Sequence, residues 1–350
     1  EGMIPYNVQS TTSGEIDRTQ TLSITDYMNR NMTGVTINSA TANPLQPNLQ
    51  FRGFTASPLL GGSEGVSVYL DGVRVNEVFG DSVNWDLIPE EMISTMSIIS
   101  GANPIFGLNT LGGAIQIRSK DGFSDPGIHA DVSGGSFGRN ESTIQGGGNN
   151  GTWGYYLLAN HFEEAGWRDY SNSNATGFLG TLSWRADSAS VDVHLAHAET
   201  KLNGNGASPI GALAIRPESV FTAPDRTQNY YSLISAQGSY KFSADATVSA
   251  TVFDRQVNTR SYNGDASDFA ACDGATATLC DVDGSPIVDQ HADRIPATFD
   301  AINNIGVRKQ RSYGGSLQWV DKHALFGRRN QVAAGLDYDH GRVGYTSVLE

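Results

Sequence analysis

No run of about 18 apolar residues occurs anywhere in this chain, which excludes a membrane-spanning helix. Positive charge is scarce too. The 23 Lys and Arg face 37 Asp and Glu, and a net charge of -14 lacks the basic footprint that nucleic-acid binding requires. Such a surface suits cationic or neutral ligands, and more often it only keeps a protein in solution. With 12 prolines and 17% charged residues, the 40 glycines read as turns and close backbone contacts rather than as disorder. The opening Glu1-Gly2-Met3-Ile4-Pro5 has neither the basic nor the apolar region of a signal peptide, so the chain reads as mature, trimmed or a piece of a longer one. A mean hydropathy of -0.30 looks soluble, yet it also fits a membrane β-barrel, whose strands are only half apolar.

Cysteine is nearly absent. Cys272 and Cys280 stand eight positions apart in a polar segment, a spacing that suits a small disulfide-closed loop in an oxidising compartment. Two free thiols in a cytosolic loop are the alternative. No neighbouring Cys or His pair offers zinc spacing, so no metal site is expected.

What is present falls into two grammars. Up to about Gly122 the pattern is mixed. Ser23 can cap a short helix with Asp26 near its positive end, and Ile24, Tyr27, Met28 and Asn31 recur at helical spacing. Val66 to Leu70 and Val73 to Val75 flank Asp71-Gly72, a tight-hairpin dipeptide. Pro89 followed by Glu90 and Glu91 predicts a second short helix running into an apolar strand, Met96 to Ile99.

From Ile128 onward, strict alternation takes over. Phe178, Gly180, Leu182 and Trp184 alternate with Leu179, Thr181, Ser183 and Arg185; Val191, Val193 and Leu195 alternate with Asp192 and His194. The same holds around Ile234–Phe242, Ala246–Val252 and Val332–Tyr338, and period two means strands with one apolar and one polar face. A soluble sandwich would alternate as well. The connectors break the tie: Arg185–Ser188 and Ser243–Asp245 are tight, whereas Lys201–Arg226 and Ser261–Asn303 are long, the pattern of an outer-membrane barrel. Trp184, Tyr240, Phe242 and Trp319 at the short-turn end fit an interfacial aromatic girdle. Roughly nine strands are legible, whereas a plugged outer-membrane transporter needs about 22. The expectation is the first part of a larger barrel; a small closed barrel is the rival.

The ordered set Arg52-Gly53-Phe54, Leu70-Asp71-Gly72-Val73, Ile88-Pro89, Gly101, Phe106-Gly107, Gly112-Gly113-Ala114-Ile115-Gln116-Ile117 and Ser119-Lys120 resembles the plug domain of TonB-dependent outer-membrane receptors. The resemblance covers about Tyr6 to Lys120. It implies an α+β plug domain over residues 1–122, followed by an antiparallel transmembrane β-barrel of which residues 123–350 supply the N-terminal strands. It further implies that a scarce small-molecule or metal-chelate ligand, most often a ferric siderophore, is bound at the cell surface and imported. The partners would be TonB with its inner-membrane energising complex and outer-membrane lipid; no nucleic acid and no cofactor is implied. The cell would be a Gram-negative bacterium, and the TonB contact would lie upstream of Tyr6.

Two departures stand out, the first being that Gly101 to Gly107 is one residue shorter than the family's common pattern. Where the family usually has Glu and then Lys, this chain has Ser97 and Ser100, so plug–wall ion pairs are not expected from those positions. Asn76-Glu77-Val78-Phe79-Gly80-Asp81 and Asn84-Trp85-Asp86 look like a further signature with no evident ligand chemistry. The guanidinium of Arg52 offers a fork of donors suited to a carboxylate on the plug or the wall. A plug that must shift on demand is expected to be held by hydrated polar contacts rather than a dry interface.

Signals of catalysis are weak. Gly61-Gly62-Ser63-Glu64-Gly65 and Gly134-Gly135-Ser136-Phe137-Gly138 match a nucleophile-elbow string, but that motif needs a strand before and a helix after its serine. Ser63 precedes a strand and Ser136 sits in an expected hairpin, so no catalytic residue is assigned. Asp265, Asp268, Asp273, Asp281, Asp283, Asp289 and Asp293 read as a solvated acidic loop. His194 and His197 fall on opposite strand faces. The leading reading is therefore a TonB-dependent importer; a β-rich surface or secreted binding protein without transport is the second, and an enzyme the weakest.

Overall fold

The computed structural model describes residues 7–350 apart from 63, 103–105, 273, 274, 282, 299, 300, 325–327 and 329, and the side chains of 275–277. Ser63 and the Asn103-Pro104-Ile105 stretch thus lie outside the described residues.

The N-terminal third carries β1 (Val8–Thr12), α1 (Ser13–Thr19), α2 (Ile24–Asn31), β2 (Val35–Asn38), β3 (Asn48–Phe51), β4 (Phe54–Ala56), β5 (Val66–Leu70), β6 (Val73–Arg74), β7 (Ile93–Ser100) and β8 (Gly113–Ser119). A five-stranded sheet runs β1-β7-β8-β5-β6, and β2-β3-β4 form a second, three-stranded one. Ser23 caps α2 as its position predicts, its hydroxyl accepting from the Asp26 N–H at 3.3 Å. Ile24, Tyr27 and Met28 are buried, while Asn31 remains outside. In β5 and β8, which lie parallel, Val68 stands beside Ile115, and both are fully enclosed. The helix expected after Pro89 is only a three-residue 3-10 turn, Glu90–Met92. Ile93 already enters β7, so the strand takes up the residues a longer helix would need.

The remaining two thirds form one antiparallel sheet of nine strands in the order β19-β18-β15-β14-β13-β12-β11-β10-β9. These are β9 (Gly127–Gly134), β10 (Asn140–Asn149), β11 (Trp153–Glu164), β12 (Ser173–Arg185), β13 (Ala189–Asn203), β14 (Asp225–Lys241), β15 (Ala246–Ala266), β18 (Ala301–Asp321) and β19 (Val332–Leu349). Between β13 and β14 lies α3 (Ile210–Ile215); between β15 and β18, a hairpin of β16 (Ala270–Cys272) and β17 (Ala275–Cys280) is closed by a Cys272–Cys280 disulfide. Among the described residues β9 and β19 do not pair, so this wall is an open, curved part of a barrel. In β11, exposure alternates residue by residue along the whole strand. Trp153 lies directly opposite Trp184, Tyr240 beside Val248, and Val248 beside Trp319, which gathers the aromatics at the short-turn edge. Phe242 meets Tyr240 edge-on, ring centres 4.8 Å apart.

The inner face of the wall closes on the N-terminal domain. Tyr156, Leu158, Leu179, Tyr231, Leu233 and Val257 join the same buried cluster as Met28, Met96 and Ile115. The expectation of a wholly hydrated interface is therefore corrected. Leu87, Pro89 and Met92 press on Leu158, Leu179 and Tyr231, leaving a gap of about 10 Å³, room for no more than about one water.

Candidate functional site

The predicted motif residues turn out to be a packing device. Phe54 is held between glycines: a Cβ on Gly65 would come 2.5 Å from its ring, and one on Gly112 would come 2.7 Å from it. Gly113 sits beside them with φ +153, where a Cβ would meet the Ile99 carbonyl oxygen at 2.4 Å. Backbone and ring can approach this closely only because these positions carry no side chain. Gly53 and Gly107 take positive φ in turns. Phe106 is held by β5, its carbonyl accepting from the Tyr69 hydroxyl. The structure thus brings Phe54, Gly65 and Gly112 together, with Gly113 next in the chain, Phe106 held separately by Tyr69 and Gly101 at the head of the β7–β8 connection.

Arg52 stands in a turn. It is exposed, with its guanidinium 5.5 Å from the Phe51 ring centre, and among the described residues it pairs with no carboxylate. Its backbone is the informative part: φ +52 followed by Gly53 makes the tight turn joining β3 to β4.

Asp71 and Gly72 form the β5–β6 turn, both with positive φ, the geometry expected of a tight Asp-Gly hairpin. One Asp71 carboxylate oxygen accepts from the Ser119 N–H at 2.9 Å, and the other lies 3.6 Å from His194 on β13. His194 and Asp71 side chains are 4% and 3% exposed, so this contact between the domain and the wall is dry. Lys120, also buried, donates to Gln145 on β10 at 3.2 Å, and Thr181 on β12 donates to the Lys120 carbonyl at 3.2 Å.

The signature that had no assigned chemistry in the sequence is a strap against the wall. Glu77 lies 3.5 Å from Arg255 on β15, each side chain 2% exposed. Arg255 also donates to the carbonyls of Val75 and Asn76. Gln310 on β18 donates to Glu77 at 2.9 Å while accepting from the Phe79 N–H at 2.9 Å, and Asn84 donates to Glu77 at 3.0 Å. Asp86, at the other end, accepts from Thr200 on β13 at 2.6 Å and Asn229 on β14 at 2.9 Å. Burial pushes both carboxyls above the usual range, opposed for Glu77 first by the Arg255 charge and for Asp86 first by the Thr200 hydroxyl. Two charges this deep gain little net stability, but removing either partner costs about 3–5 kcal/mol because the other is stranded.

Ion pairing to the wall therefore exists, moved away from the positions where the resemblance would place it. Ser97 and Ser100 face the N-terminal segment: the Ser97 and Ser10 hydroxyls are 2.9 Å apart, and Ser100 donates to the Asn7 carbonyl at 3.1 Å. Sequence reasoning missed the wall half of the strap. Its one signal was parity, since Arg255 continues the inward set of Thr247, Ser249 and Thr251 on β15.

A second group of carboxyls lies nearby. Burial, then the charge of Glu91, pushes Glu90 up to about 9, and burial, then Glu141, pushes Glu91 to about 8. Glu90 accepts from the Thr21 hydroxyl at 3.1 Å. Among the described residues no group of three or more His, Cys, Asp or Glu is arranged to hold a metal, and the acidic segment around Asp281–Asp293 closes into turns, with Asp289 accepting from the N–H groups of His291 and Asp293.

A small α+β domain lodged against the inner face of an antiparallel wall with an aromatic outer edge is the arrangement of part of a plugged β-barrel. Residues 2–114 match the family model described as TonB-dependent Receptor Plug Domain. Over 69 residues the chain is 39% identical to the rhizobactin receptor of Rhizobium meliloti (strain 1021), a stretch covering 19% of this chain and 9% of that protein. The ferric citrate transporter FecA, unliganded, shares the fold with TM-score 0.77 at 14% identity over 98% of this chain and 48% of its own. The ferric preacinetobactin receptor BauA from Acinetobacter baumannii gives 0.73 at 14% identity, over 99% and 48%. This chain thus spans about half the length of these solved structures. Plug model, sequence relative and shared fold agree: residues 2–114 match the plug domain of TonB-dependent receptors, and the chain as a whole has the fold of the corresponding half of the solved receptors.

Proposed function

We propose that this receptor captures a scarce metal chelate, most consistent with a ferric siderophore, at the surface of a Gram-negative cell and imports it across the outer membrane. The observation that carries the reading is the strap: a plug bound inside a barrel by buried, directional polar contacts blocks the lumen and can let go as a unit. The relatives support the cargo class, because those matched include a rhizobactin receptor, a ferric preacinetobactin receptor and a ferric citrate transporter. In this reading residues 1–122 form the plug and residues 123–350 the first strands of the barrel. Residues upstream of Tyr6 meet TonB, and the inner-membrane complex supplies the energy. The Arg52–Phe54, Gly101–Gly107 and Gly112–Lys120 motif serves to pack the plug, not to touch cargo.

The test is uptake of radiolabelled iron presented on a panel of siderophores, in cells with and without the receptor gene and with and without TonB. Uptake of at least one chelate that needs both genes is the expected result. Ligand binding at the surface with no uptake under iron limitation would instead make this a binding protein without transport.

A further inference from the structure

The outward face of the wall is laid out in levels set by the strand register. Trp184, Val191, Gly238, Ala250, Leu317 and Leu336 lie side by side, and the level above them is equally apolar. Two levels higher still, the chemistry changes: Gln256, Arg311 and Arg342 stand abreast on β15, β18 and β19. Lys309 follows on β18 and Arg260 one level beyond on β15, and all four cations are exposed. That they point outward follows from parity, because Gln310 and Gly341, on the other parity, meet Glu77 and Val78 of the plug.

Arg311 and Arg342 are directly opposed across the ladder, an arrangement that repels unless an anion lies between. Among the described residues Asp254 alone pairs with this group, at 2.7 Å from Arg311, whose side chain is still 60% exposed. In a chain of net charge -14 such a concentration of cations is not an average surface. On the corresponding levels of β11 and β13, by contrast, His161 sits with Glu163 and His197 with Glu199.

A second feature adjoins it. Phe178, Leu195 and Ile234 floor an open outward groove of about 460 Å³, rimmed by Ser232, Asp254 and Gln256. Asp254 belongs to both, lining the groove and holding Arg311. An apolar groove beside clustered cations, Phe178 on their level and Leu195 and Ile234 one level lower, at the height where an apolar wall meets a polar belt, matches a molecule with an acyl chain and an anionic head.

We propose that Arg260, Lys309, Arg311 and Arg342 bind the phosphate groups of an anionic outer-leaflet lipid, one of whose chains lies over Phe178, Leu195 and Ile234. This rests on the barrel reading above. The test uses the full-length receptor in neutral detergent, titrated with bisphosphorylated lipid A and followed by native mass spectrometry. One bound lipid is expected, with affinity lowered by roughly tenfold or more in the combined Lys309→Gln, Arg311→Gln, Arg342→Gln variant. His161→Gln, on the far side of the wall, should bind as the parent does, and heat-modifiable migration in gels would show that each variant is folded. Equal binding by the parent and the folded triple variant would overturn the site. So would displacement of the lipid by inorganic phosphate at equal concentration, which would mark a site for free phosphate. A receptor that stays monodisperse without detergent would instead overturn the barrel reading, a result separate from lipid affinity.

Discussion

The two ends of the plug are attached in different ways. At one end, β1 lies on the edge of the five-stranded sheet, paired among the described residues only with β7. Among the described residues, the hydrogen bonds of β1 and α1 all stay within the plug: Gln9 with Thr33, Ser10 with Ser97, Thr11 with Tyr27. At the other end, the strap from Val75 to Asp86 bonds to β13, β14, β15 and β18 of the wall. An edge strand held by neutral hydroxyls separates one bond at a time, each worth about 0.5–1.5 kcal/mol. A strap held by buried carboxylates resists until a charge is stranded, which costs several times more. The difference teaches that the polar contacts of one small domain are graded, cheap where it meets itself and expensive where it meets the barrel.

Breaking the expensive end should give the largest effect. Arg255→Ala leaves Glu77 buried without its ion-pair partner, only the more distant Arg308 charge remaining, so a loss of about 3–5 kcal/mol is expected, visible as protease access to residues 75–86. The double change Glu77→Leu, Arg255→Met removes both charges and should recover much of that loss; equal damage in the double variant would refute the ion-pair account. Next comes the packing on which both ends depend. Gly113→Val drives a side chain into the Ile99 carbonyl and should cost about 1–3 kcal/mol or more, read as a lowered unfolding midpoint. Asp86→Ala removes the acceptor of Thr200 and Asn229, for an expected loss of about 1.5–3 kcal/mol and faster amide exchange in residues 84–88.

The last effect is a gradual one, on pH dependence. Glu90 and Glu91 bind protons more tightly folded than unfolded, with values of about 9 and about 8 against an ordinary 4.5. The stability this gives is therefore complete below about 4.5 and is lost as pH rises towards 8 to 9, by at most about 1.4 kcal/mol per pH unit for each proton. Glu90→Gln and Glu91→Gln should each flatten the fall in thermal midpoint between pH 5 and pH 9. An unchanged slope would place the titrating groups elsewhere.

Much of this protein is set by local chemistry and could be read from the residues. Asp71-Gly72 demands a hairpin, Ser23 a helix start, and period two from Ile128 to Tyr338 a wall with two unlike faces, because each depends on dihedral preference or on alternation along one strand. The plug motif was legible as a set, though the reason for its glycines was not. That Gly65, Gly112 and Gly113 leave room for one phenylalanine and one carbonyl depends on strands far apart in the chain. Only the tertiary structure decided that Arg52 makes the β3–β4 turn. It also decided that Glu77 and Asp86 hold the wall, and that Leu87 and Met92 find a dry patch there. A side chain's partner across an interface is fixed by register and closure between segments more than a hundred residues apart, and neither leaves a period in the sequence.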